Sequence, residues 1–127
     1  MCTELQSGAL PLLLQTPNGR DHVGVNQDCF VFNGSCDSEA YQKLYRFLGC
    51  LIGIAIRTGE AIDLNLAAPM WKLVVGQTLS VGDLSEIDGD FVSALEWYRK
   101  ATEDDLAASE FPTTIRMAHG NEVPVRP

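Results

Sequence analysis

Positive charge is scarce in this sequence. Nine Lys and Arg stand against seventeen Asp and Glu, a formal charge of −8. That balance repels phosphate backbones and anionic lipid and offers no basic patch for counterion release, so nucleic acid is not expected as a partner. Long hydrophobic runs are absent too. The most apolar stretch, "FLGCLIGIAI", holds ten residues between Arg46 and Arg57. At a helical rise of ~1.5 Å it covers about 15 Å, half of a hydrocarbon core, which excludes a membrane span. The N-terminus carries no basic run before its short apolar segment, and Pro11 interrupts that segment. No secretory or transit leader is expected, and the chain reads as cytoplasmic.

Paired metal-type cysteines are also lacking. Cys2, Cys29, Cys36 and Cys50 fit neither a C-x-x-C zinc site nor a redox motif, so reduced thiols are expected. No Ser/His/Asp or Cys/His arrangement is legible. His22 and His119 sit among turn residues and read as surface histidines. Cys50 falls within an apolar helix, which raises a thiol pKa, and is expected to be an inert core residue; nothing local activates Cys29 or Cys36. The acidic "DLSEIDGD" suggests a calcium loop with Gly89 as its glycine, but that register puts Leu84 and Leu95 where carboxylates are required. The acids read instead as helix caps, and neither metal nor cofactor is expected. There is no repeat, linker or low-complexity segment, and 127 residues suit one domain.

What the sequence does contain is a strong helical signal. Tyr41, Leu44, Tyr45, Leu48, Leu51, Ile52, Ala55 and Ile56 recur at three- and four-residue steps, and Phe47 and Ile54 extend the apolar stripe to the other side. This predicts a buried central helix, capped at Asp37 or Ser38 and ended by a left-handed Gly59. Gly49 and Gly53 each cost about 1 kcal/mol of helix propensity, so close approach of another element is expected there. Before the helix, "LPLLLQTPN" and "DCFVFNGS" read as two strands joined by a loop. After it come an extended "AIDLNL" and a helix in "AAPMWKLVVG", with Trp71, Leu73, Val74 and Val75 on its buried side. Ser80 with Asp83 caps a short helix, and Asp88 caps a longer one with Phe91, Ala94, Leu95 and Tyr98 as its apolar face. Thr102 with Asp105 caps a final turn, the acids Glu103 to Asp105 complementing the helix dipole. "FPTTIRM", "AHGN" and "EVPVRP" read as strand, turn and strand. The fold class is therefore α+β, mostly helical with small β-hairpins.

"LPLLLQTPN", the long segment from "YRFLGCLIGIAIRTG" to "VGDLSEID", and "NEVPVRP" resemble, in that order, the N-terminal lobe of HECT-type ubiquitin ligases. Tyr45, Phe47, Leu48 and Gly49 match the aromatic-x-Phe-hydrophobic-Gly core of the family, and Gly53 its second glycine. Asp63 and Leu64, Trp71 and Lys72, and Asp83 and Leu84 match the later pairs. "AIRT" at Ala55 to Thr58 and the Trp-Lys pair point to the giant HERC subgroup. Cys50 stands where many members carry arginine.

The resemblance implies a short extension over residues 1–9 and, over 10–127, the large subdomain of a HECT N-lobe. This portion would stop before the subdomain that docks the ubiquitin-conjugating enzyme and before the C-lobe. In the family a C-lobe cysteine accepts ubiquitin as a thioester and passes it to a substrate lysine. None of the four cysteines here matches that segment, so no catalytic residue is expected in this chain. Its implied role is scaffold for a ligase whose partners are ubiquitin, a conjugating enzyme and protein substrates. The alternative is a non-catalytic ubiquitin- or protein-binding module. Some members hold ubiquitin noncovalently near the start of the long helix, which brings Tyr41, Leu44 and Tyr45 into question, although their spacing equally suits core residues.

Overall fold

In the computed structural model, which describes residues 2–110, 114–117 and 119–124, the elements follow the α+β expectation. They run α1 (Cys2–Gln6), β1 (Leu13–Gln15), α2 (Pro17–Asp21), β2 (Phe30–Phe32), α3 (Glu39–Thr58), α4 (Ala68–Val74), α5 (Val81–Ser85), α6 (Gly89–Lys100), α7 (Glu103–Ala108), β3 (Thr114–Arg116) and β4 (Glu122–Pro124). The two expected strand pairs form, both antiparallel: Leu14 lies opposite Val31, and Ile115 opposite Val123. The extended "AIDLNL" adds one parallel bridge from Leu66 to Phe30 on the far edge of β2. Parts of the second strand pair, residues 111–113, 118 and 125–127, lie outside the described residues.

The connection between β1 and β2 was expected to be a loop and holds the one-turn helix α2. Thr16 starts it: its hydroxyl accepts from the Gly19 amide at 3.0 Å and donates to the Asn26 carbonyl at 2.7 Å. Pro17 takes the first turn, where a missing amide hydrogen costs nothing. Asn18 is fully buried and reaches 71 residues along the chain: its amide nitrogen donates to the carbonyls of Val25 and Glu86, and its oxygen accepts from the Gly89 amide at 2.8 Å. The Asn18 backbone amide also donates to the Ile87 carbonyl at 2.9 Å. A β-carbon on Gly19 would lie 2.0 Å from the Gln27 carbonyl oxygen, so the turn closes only around glycine.

Beneath α3 lies the central cluster, where Leu48 and Ile52 meet Leu5, Leu12, Leu13 and Val31 from the N-terminal elements and Leu64, Leu66 and Met70 from beyond the helix. Gly59 ends α3 in the left-handed conformation as expected, at φ 71°, and Ser38 stands at the N-cap position, but its side chain makes no capping hydrogen bond. The burial of α3 differs from expectation. The cover is one-sided: Phe47, Ile54 and Ile56 are 54%, 58% and 77% exposed, and among the described residues nothing approaches within 4 Å of a β-carbon placed at Gly49 or Gly53. Cys50, expected in the core, is exposed for the same reason. Periodicity counts apolar positions around a helix without knowing how many sides its neighbours cover.

A similar correction applies to α4. Pro69 stands in its first turn and Gly76 follows at φ 74°, but Trp71, Leu73, Val74 and Val75, expected on the buried side, are exposed, and Pro69 and Met70 face the core instead. Lys72 of α4 ion-pairs with Asp83 of α5. Asp83 completes a capping box, its second oxygen accepting from the Ser80 amide at 2.8 Å and the Ser80 hydroxyl at 2.9 Å. Asp88 caps α6, and Thr102 with Asp105 forms the second capping box at α7.

Replacing Asn18 by Ala should remove three hydrogen bonds at one buried point and leave their partners unpaired, lowering unfolding stability by about 3 kcal/mol. Asn18→Asp, which keeps the oxygen facing Gly89 but turns an acceptor on two carbonyls, should also destabilise. Denaturant midpoints equal to that of the unaltered chain for both variants would contradict this. Asp83 is held down to about 2 from the usual 3.8, first by the Lys72 ammonium and then by Ser80. A depressed carboxylate contributes its full share above its unfolded pKa and loses it as pH falls through the folded one. The stability difference between the unaltered chain and Asp83→Asn should therefore shrink as pH drops from about 4 to about 2, as read from urea melts at several pH values.

Candidate functional site

The three residues singled out as a possible contact surface do come together, on the inner side of the first half of α3. Tyr41, Leu44 and Tyr45 are half-buried and pack on the central cluster. Tyr45 is the most committed to the interior. Its hydroxyl lies 2.8 Å from the Leu12 carbonyl and 3.1 Å from that of Asn33, so its one proton is shared between the two strand ends. Burial pushes its pKa up, against the opposing pull of the Asn33 backbone. Its ring meets Phe32 edge-on at 6.0 Å. Leu44 borders a recess of about 160 Å³ between α1 and α3, floored by Leu5, Leu12 and Leu48, with the exposed Leu10 and Phe47 at its mouth. The recess is otherwise apolar, with Glu4 as the one titratable side chain among its described lining residues.

The thiols are arranged no better for catalysis. Cys29 is half-buried, with Asn65, Asn26 and Asp28 oxygens 3.7–3.8 Å from its sulfur. Burial and then the Asp28 charge raise its pKa, the reverse of what a nucleophile needs. Cys36 is buried and donates to the Pro11 carbonyl at 3.3 Å. His22 is the exposed left-handed residue closing α2, and His119 lies in the turn between β3 and β4, where its Nδ1 accepts from the Asn121 amide. Among the described residues no group of three or more His, Cys, Asp or Glu side chains could hold a metal ion, and no helix is long and apolar enough to cross a membrane. A hollow of about 710 Å³ between α6, α7 and β3 is lined by the expected apolar face Phe91, Ala94, Leu95 and Tyr98, together with Arg20, Asp21 and Arg116.

The family model described as HECT-domain (ubiquitin-transferase) matches residues 1–124. The chain belongs to the HECT-domain family. It is 45% identical over 125 residues to the E3 ubiquitin-protein ligase HERC2 of Mus musculus and 44% identical to that of Homo sapiens, 97% of this chain in each case. It is also 31% identical over 131 residues to the probable E3 ubiquitin-protein ligase HECTD4 of Homo sapiens, across the whole chain. The chain spans only about 3% of the length of each of these relatives. No solved structure gives a significant match.

The HECT pattern residues divide by what they touch. Tyr45, Leu48 and Leu64 face the core, whereas Phe47, Gly49 and Trp71 are exposed. Lys72 and Asp83, from two separate pairs of the pattern, are the two ends of the ion pair joining α4 to α5. The recess beside α1 and the long reach of Asn18 were not legible in the sequence. Leu5 and Leu10 carry no local signal that they meet a helix forty residues away, and an asparagine after proline reads as a turn.

The three described thiols should separate cleanly on alkylation of the folded chain. Cys50 should react first, Cys29 more slowly and Cys36 only on unfolding, as read by mass spectrometry of timed iodoacetamide quenches. Rapid labelling of Cys36 would mean that the Pro11 contact does not hold.

Proposed function

We propose that this chain is the scaffold portion of a HECT ubiquitin-protein ligase, the large subdomain of the N-lobe over residues 10–127. In the parent protein, ubiquitin is carried as a thioester on a cysteine outside this chain and passed to substrate lysines. The family match across residues 1–124 carries this reading, supported by relatives that are named E3 ubiquitin-protein ligases. The conjugating enzyme and the substrates are partners of the complete HECT domain. The environments of Cys29 and Cys36, one with a raised pKa and one buried against a carbonyl, support a chain that takes no part in the acyl transfer itself.

Within this reading, the start of α3 contributes a noncovalent ubiquitin contact through Tyr41 and Leu44, beside the recess at Leu10 and Phe47. Tyr45 serves mainly to hold the strand ends on which that surface rests.

Incubated with activating enzyme, charged conjugating enzyme and ubiquitin, the chain should form no thiol-sensitive ubiquitin adduct. An adduct abolished by Cys29→Ala or Cys36→Ala would overturn the scaffold assignment. Titration of labelled ubiquitin should give chemical-shift changes that weaken in Leu44→Ala, while Tyr45→Phe lowers stability and leaves the shifts in place. Unchanged spectra at millimolar chain would remove the ubiquitin contact and leave the scaffold role standing.

A further inference from the structure

We draw no further inference here: the strongest candidate, the exposed outer face of helix α3 with Phe47, Ile54 and the open Gly49–Gly53 step, is an unpartnered apolar surface, and nothing in the structure shows what covers it.

Discussion

The carboxamide of Asn18 is the constraint on which the arrangement of the two halves rests. The hairpin, α3 and the start of α4 share one apolar cluster, which the second half of the chain meets through the partly buried Ile87 in the turn between α5 and α6. Two polar devices hold the second half to the first: Asn18 with its backbone and side-chain bonds to residues 86, 87 and 89, reinforced by Asn26 on Glu86, and the Lys72 to Asp83 pair. A buried amide with every bond satisfied specifies geometry more sharply than an apolar contact, because misalignment leaves donors and acceptors without water or partner. The precision depends on the turn beneath it, which Thr16 caps and Gly19 allows to close.

The recess beside α1 is mostly apolar, the Cys29 thiol is shifted away from reactivity, and the two histidines stand on turns. What the fold exposes is hydrophobic surface along α3 and α4, with Phe47, Ile54 and Ile56 on the one and Trp71, Leu73 and Val74 on the other. The ion pair between Lys72 and Asp83 joins two elements of the HECT pattern across the consecutive helices α4 and α5.

Local chemistry was legible and long-range cover was not. The caps at Ser80, Asp88 and Thr102, the left-handed Gly59, and the strands β1 and β2 each depend on residues a few positions apart or on a strand signal flanked by turns. The burial of Trp71, Leu73, Val74 and Val75, and of Cys50, depends on what lies across from them, which spacing along the chain does not encode. Tyr41, Leu44 and Tyr45 illustrate the same limit from the other direction: one periodicity places all three on the inner face, and only the geometry distinguishes the tyrosine tied to two carbonyls from the leucine beside a recess.

The order of synthesis gives the Asn18 joint a second meaning. The buried members of the central cluster all lie between Leu5 and Met70, ahead of residues 86 to 89 in that order. A domain folds as a unit. The bonds from Asn18 to residues 86, 87 and 89 therefore tie the later-made helices into the same unit as a cluster whose buried side chains all precede them.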